Sequence, residues 1–401
     1  GDVVAPPERI DDLAAWGWKP HYRPRSCEVD IDDLGDLPPE TWLVFLDGED
    51  LGRAAVEMLR AAGHTVTTVR AGDAFARDGD NSYVLAPERG REGYDLLIRD
   101  LVQRGRTPAR ILHLWLVTRG ERFRPGSSFL HRNIEQGFYS LMFLAQAIAE
   151  ENLPRPIHMT VATTGAAQVK SEALLYPEKA MALGPVRVIP REIPGFSTRL
   201  LDLDLPKDPA TLASSLLEEA LSGGDAVAAL RGDRRYELGL KPVPLDGPDV
   251  DLPQGAHVLI TGGFGGIGLT IAEDLIRRFG VCVSLVARRA LPDRAHWAGI
   301  LAKAGPDDPM ARRILSVQRL EGLGGRIIVA AADVANLDEM QRAKEAGETA
   351  FGPVHTVIHA AGVVDDGPIL AKSSADIEDV LTPKLHGTQI LERLFPDGSI
   401  K

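Results

Sequence analysis

Residues 257–268 read HVLITGGFGGIG, and the reading of this stretch decides the fold. Val258, Leu259 and Ile260 form a short apolar run that predicts a buried strand. Thr261 follows, and Gly262, Gly263, Gly265, Gly266 and Gly268 crowd the turn after it. Ile267, Ile271, Leu275 and Phe279 then recur at helical spacing, and Glu273, Asp274, Arg277 and Arg278 are expected to face away. Strand, glycine turn and helix in this order present bare backbone N–H groups and the positive end of a helix to a pyrophosphate. A Cβ at these positions would hold the phosphate off the backbone. Gly263, Gly265 and Gly268 fit the pattern G-x-G-x-x-G, with the flanking elements that give it meaning as a dinucleotide site. A glycine turn without a ligand is the plainer alternative.

The chain has 401 residues, room for about two or three domains. Apolar residues at 44% and charged residues at 25% are ordinary for a globular protein. A net charge of −12 and a pI near 5.4 argue against nucleic acid or an anionic membrane as a main partner. An anionic cofactor needs only local positive charge and stays possible. Cys27 and Cys282 are far apart and suggest no disulfide framework. No apolar run approaches the length of a membrane span, and the opening residues lack signal-peptide character, so a cytoplasmic protein is expected.

Residues 1–40, rich in proline and charge and carrying Trp16 and Trp18, are expected to be a lead-in packed on a later domain. Residues 42–46 (WLVFL) predict a buried strand, 54–62 a helix closed by Gly63, and 65–69 a second strand. Helices are predicted over 94–104, 133–151 and 211–222, and strands over 111–117, 156–165 and 234–243. Residues 186–204 hold two further strand candidates around Pro190 and Pro194. Residues 240–255, with Pro242, Pro244, Pro248 and Pro253, are the expected linker, and the pattern then restarts with strands over 257–260, 281–287, 326–332 and 354–359. Strands alternating with helices predict an α/β fold with parallel sheets. The restart predicts two tandem Rossmann-like units, 1–245 and 256–401. Two unrelated α/β domains are the alternative. At the turn matching the glycine loop, the first unit reads Asp47-Gly48-Glu49-Asp50-Leu51-Gly52. Three carboxylates there would repel a pyrophosphate, so this unit is read as a degenerate, structural copy.

The strand over 281–287 ends in Arg288 and Arg289, where a dinucleotide fold meets the adenosine ribose. An acid there would hold a 2′-hydroxyl, whereas the arginine fork suits a 2′-phosphate and favours NADPH over NADH. Two solvated surface arginines are the bland reading. Asp333 and Val334 follow the next strand, where an adenine could be bracketed. Ala360, Ala361 and Gly362 end the fourth strand and leave room for a nicotinamide ribose, while His359 reads as a satisfied core histidine.

TGGFGGIG, the Arg288 strand end, Asp333-Val334, His359-Ala360-Ala361-Gly362 and LTPKLHGTQIL (381–391) together resemble the ketoreductase domain of a modular polyketide synthase, within the short-chain dehydrogenase/reductase superfamily. In that family a silent Rossmann-like structural subdomain precedes the catalytic one, and residues 182–204 are similar to the end of such a subdomain. The resemblance implies NADPH held by Thr261, Gly262, Gly263, Phe264, Gly265, Ile267, Gly268, Arg288, Arg289, Asp333, Val334, Ala360, Ala361, Gly362 and Lys384. Lys384 matches the family's catalytic lysine, which holds the nicotinamide ribose and favours the ionised form of a proton-donating tyrosine. By spacing alone it is one more exposed lysine. Val364-Asp365-Asp366 resembles the LDD motif of B-type ketoreductases, which implies a D-configured β-hydroxyl; an Asp-Gly turn at Asp366-Gly367 is compatible with it. The implied reaction is reduction of a β-ketoacyl thioester on the phosphopantetheine arm of an acyl carrier protein, with other synthase domains alongside and a homodimeric synthase around it.

The family's serine and tyrosine belong after the Lys384 helix, and the chain reaches Lys401 before them. A fragment of a longer polypeptide, inactive alone, is therefore expected, with the fourth strand an open edge. A catalytically silent scaffold supporting a neighbouring domain is the competing reading. Tyr176 and Lys179 lack the Tyr-x-x-x-Lys spacing, and Thr163-Thr164 reads as the vestige of the serine position.

Overall fold

The structure is a computed structural model that describes residues 10–120, 128–222, 226–245, 251–305 and 307–400. Contacts divide the chain into two compact units, Gly1–Gly247 with Gly367–Lys372, and Pro248–Asp366 with Ser373–Lys401.

Among the described residues the first unit forms a 10-stranded sheet. Its strands are β1 (Trp18–Arg25), β2 (Thr41–Phe45), β3 (Thr65–Ala71), β4 (Ala76–Arg77), β5 (Ser82–Leu85), β6 (Arg110–Leu116), β7 (Ile157–Thr164), β8 (Phe196–Leu203), β9 (Ala226–Arg231) and β10 (Arg234–Pro242). They lie in the order β1-β10-β9-β8-β7-β6-β2-β3-β5-β4, parallel from β9 to β5 and antiparallel at both margins. One face is sealed by Trp42, Val44, Leu51, Leu59, Leu112, Leu114 and Leu216, all buried.

Three expectations for this unit are corrected. Residues 18–25 are an edge strand, not a lead-in on a later domain; Trp18 lies opposite Pro242 and Arg25 opposite Arg235. Pro20 and Pro24 donate no ladder hydrogen bond, which restricts such a segment to an edge. The expected linker begins later, because Leu240–Pro242 complete β10, and its residues 246–250 lie outside the described residues. The first strand candidate within 186–204 is a helix, Leu183–Glu192. Pro185 sits in its first turn, where no N–H is needed. Pro190 deprives the Val186 carbonyl of its helical donor, and the Thr198 hydroxyl on β8 donates to it instead.

The second unit holds β11 (His257–Thr261), β12 (Cys282–Ala287), β13 (Arg326–Ala331) and β14 (Val354–His359), in the order β13-β12-β11-β14 and all parallel. The first unit repeats this order as β5-β3-β2-β6, so the duplication read from the sequence is present in the topology. The helix Gly266–Phe279 follows the glycine turn, but its inner face is Gly268, Ala272 and Ile276. The predicted stripe was one residue out of phase, and Ile267 is 71% exposed. A close approach decides the phase. A Cβ at Gly268 would lie 2.9 Å from the Gly262 carbonyl oxygen, so only the small-residue face fits the turn. Glu273 and Asp274 pair outward with Arg277 and Arg278. No helix among the described residues is long and apolar enough to cross a membrane.

Candidate functional site

The site is built where β11 and β14 end side by side. Gly262 has φ of +62°, and a Cβ on it would lie 2.5 Å from the Ala360 carbonyl oxygen. A Cβ on Gly263 would lie 2.9 Å from Leu285 Cβ. The Gly263 N–H donates to Val286 and the Gly265 N–H to Gly262. The helix Gly266–Phe279 then starts with Gly265 as its cap and no side chain capping it. The first-turn N–H groups of Gly266, Ile267 and Gly268 have no acceptor within the helix, and they point its positive end outward.

Gly266 separates the demands of the fold from those of a ligand. A Cβ there would meet nothing within 4 Å, and its φ is not positive. The fold has no need of glycine at this position; an anion approaching the amides does. The bare first turn therefore fits a pyrophosphate.

The flanking residues fall around this turn as follows. The Phe264 ring packs partly into the core of the unit beneath the Arg313 guanidinium, at 5.6 Å. Arg288 and Arg289 are exposed just beyond Val286, whose carbonyl accepts from the glycine loop. Among the described residues neither guanidinium has a hydrogen bond or ion pair. Asp333 is exposed, with its Oδ1 accepting from the Ala335 N–H, and Val334 is buried. The Ala360 N–H donates to the Thr261 carbonyl at 3.1 Å. Lys384 sits on the π-helical turn Thr382–His386, with Cε 3.5 Å from where a Gly362 Cβ would be. Its ammonium is exposed and has no partner among the described residues. Single π turns inside helices recur at functional sites. Asp365 and Asp366 are both exposed beyond β14.

One connection was not visible in the sequence. Both nitrogens of His359 are engaged, as a satisfied histidine requires, but they link the glycine loop to the Lys384 turn.

At the equivalent turn of the first unit, Asp47 places its own carboxylate before the helix Leu51–Ala61. Oδ1 accepts from the Gly52 N–H at 2.7 Å and Oδ2 from the Glu49 N–H at 3.0 Å. Burial pushes the Asp47 carboxyl up, and these backbone N–H groups pull it down. Glu49 pairs with Arg119 and Asp50 with Arg53. The anion place is thus filled by one residue rather than merely ringed by three repelling acids.

Tyr176, Lys179 and Thr164 do meet in this unit. The Lys179 ammonium, fully buried, donates to Thr164 Oγ1 at 2.8 Å and to Thr118 Oγ1 at 2.9 Å, and lies 4.5 Å from the Tyr176 ring centre. Burial pushes Lys179 down from 10.5 to about 8, with Asp202 and Glu178 pulling the other way. The folded chain therefore releases this proton before the unfolded chain does. The Lys179 contribution to stability is flat below about 8 and rises from there towards the ordinary lysine value, by roughly 1–3 kcal/mol. The urea midpoint of the native chain should climb relative to that of Lys179→Met across that pH range.

Residues 256–401 match the family model described as a KR domain, and residues 40–219 match one described as beta-ketoacyl synthase-like, N-terminal. The latter stretch contains neither Cys27 nor Cys282, so it offers no thiol nucleophile. The 6-methylsalicylic acid synthase of Aspergillus terreus is 31% identical over 275 residues, which is 65% of this chain and 14% of that protein. The 5-methyl-1-naphthoate synthase of Streptomyces sahachiroi is 30% identical over 56% of this chain and 12% of that protein. The chain thus spans only a small part of the curated relatives it matches. An N-terminal ketoreductase from the macrolactin assembly line superposes with a TM-score of 0.75 at 20% identity, over 97% of this chain and 74% of that one. A keto acid-selecting NRPS module with adenylation, ketoreductase and pseudo Asub domains gives 0.79 at 22% identity, over 95% and 31%. At such identities the superpositions establish the fold alone.

Proposed function

Since this chain belongs to the ketoreductases of the polyketide synthases, we propose that it serves the NADPH-dependent reduction of a β-ketoacyl thioester on an acyl carrier protein. The observation that carries this reading is the uncapped first turn that opens with glycine at Gly266, where the fold itself does not require one. Bound NADPH supplies a hydride to the β-carbon. The amides of Gly266, Ile267 and Gly268 would hold the diphosphate, and Arg288 and Arg289 the 2′-phosphate. Asp333 and Val334 would flank the adenine. The small residues Ala360, Ala361 and Gly362 leave space for the nicotinamide ribose, and Lys384 reaches that space beside Gly362. There its ammonium would hold a ribose hydroxyl and lower the cost of ionising the family's tyrosine. Asp366 in the LDD-like motif supports a B-type assignment with a D-β-hydroxyl product. Other synthase domains would supply the acyl chain, within a homodimeric synthase.

Titration of this chain with NADPH, read by the fluorescence of the reduced nicotinamide, tests the reading. Saturable binding is expected, with NADH weaker. Arg288→Ala should weaken NADPH by about 10- to 100-fold, the worth of a charged hydrogen bond, and leave NADH unchanged. No saturable binding would leave the silent scaffold as the better account. An L-configured product from the whole synthase domain would reduce Asp366 to a turn residue.

A further inference from the structure

Thr261 and His359, the last residues of β11 and β14, lie opposite one another in the parallel ladder. The His359 Nδ1 is 2.7 Å from Thr261 Oγ1, and its Nε2 is 3.0 Å from the Pro383 carbonyl oxygen. A carbonyl oxygen can only accept, so Nε2 carries the proton and donates to Pro383. In the neutral ring Nδ1 then accepts, and the Thr261 hydroxyl donates to it. The oxygen of that hydroxyl accepts in turn from the Ala361 N–H at 3.4 Å. The bonds therefore run in one direction, from the ribose floor, through the residue that opens the glycine loop, to the carbonyl immediately before Lys384.

The π turn makes that carbonyl accessible. The Gly387 N–H donates to Thr382, five residues back. In a regular α-helix it would have gone to Pro383. Gly387 packs closely here, against Val334 more than against the ring. A Cβ there would lie 3.4 Å from His359 Cε1 and 3.0 Å from Val334 Cγ1. The imidazole fits under the turn and takes the acceptor that the wider register leaves to it.

We infer that His359 is a positioning residue for Lys384: its Nε2 proton holds the Thr382–His386 turn in the π register and ties that turn to the start of the glycine loop. The inference rests on the reading of Lys384 as a cofactor ligand. Relaxation to α register would rotate Lys384 about the helix axis relative to the residues that follow, by roughly 100° for one residue of slip. A long, flexible ammonium side chain gains little from a ribose hydroxyl unless its base is fixed.

His359→Asn separates this role from plain core packing. The shorter amide can still meet the Thr261 hydroxyl but stops short of Pro383. In an otherwise native chain it should weaken NADPH about tenfold, the upper end for a lost hydrogen bond. In a Lys384→Met background the same change should cost less than about twofold, since its effect runs through the lysine. His359→Gln, which can reach Pro383, should recover most of the loss. Equal weakening in both backgrounds would overturn the inference. Hydrogen exchange without nucleotide gives an independent reading. Amides 384–388 should exchange about tenfold faster in His359→Asn, with β11 and β12 unchanged. Unchanged exchange at the turn would overturn the inference whatever the nucleotide does. Should the native chain bind no NADPH, the proposed function falls, and hydrogen exchange alone decides the role of His359.

Discussion

Gly262→Ala is expected to abolish NADPH binding and to destabilise the second unit by roughly 2–5 kcal/mol. Two costs add. The residue sits at φ +62°, where a side chain is strained, and the new methyl would lie 2.5 Å from the Ala360 carbonyl oxygen and 2.7 Å from Ala361 Cα. Both obstacles are backbone and cannot swing aside. The comparison that gives the experiment its force is Gly266→Ala. There the fold has open space, so stability should change by less than about 0.5 kcal/mol. Binding should nonetheless fall sharply, because the methyl would stand where the phosphate approaches. Urea unfolding and a nucleotide titration on both variants separate the two effects. A Gly266→Ala chain that binds NADPH as well as the native one would show that these amides are not the phosphate cradle.

Removal of Glu219 should be the most damaging single change in the first unit. Its carboxylate is fully buried and meets the guanidinium groups of Arg25, Arg199 and Arg235, the second at 2.7 Å and the third at 3.2 Å. Glu219→Ala leaves those cations with less than the compensation they need in a dry place, a loss of about 3–5 kcal/mol. Arg25 and Arg235 are opposite residues on β1 and β10, so the damage should reach the sheet margin first. Denaturant unfolding should show the drop, and limited proteolysis should find residues 18–25 before the core strands. A loss below about 1 kcal/mol would mean that apolar packing, not this carboxylate, holds the margin.

The second unit was legible because its strands are unbroken apolar runs between glycines, and each landed close to where the sequence put it. The phase of the helix Gly266–Phe279 was not. Ile267, Ile271 and Leu275 make the larger hydrophobic stripe, but the approach of Gly268 to Gly262 decides which side faces in. In the first unit, the stretch before Pro190 reads as a strand candidate because the remedy for its helix, the Thr198 hydroxyl, lies on a different element. Strand β1 lacked a pattern because it is mostly exposed on both faces. Of the candidate site, the glycine loop and the Arg288 strand end could be named from local motifs, and Lys384 only from the family resemblance. The His359 strut could not, since it joins residues 261, 359 and 383 through a non-standard helical register. The acidic turn was seen as repulsive; whether a carboxylate repels a ligand or replaces it depends on where its oxygens point.

That replacement by Asp47 has a thermodynamic consequence. A ligand stabilises only the fold that binds it, by an amount that grows with the logarithm of its concentration. The second unit would thus become firmer as the supply of reductant rises. The first carries its anion on the Asp47 side chain, always at saturation, so its folding reserve would not follow that supply.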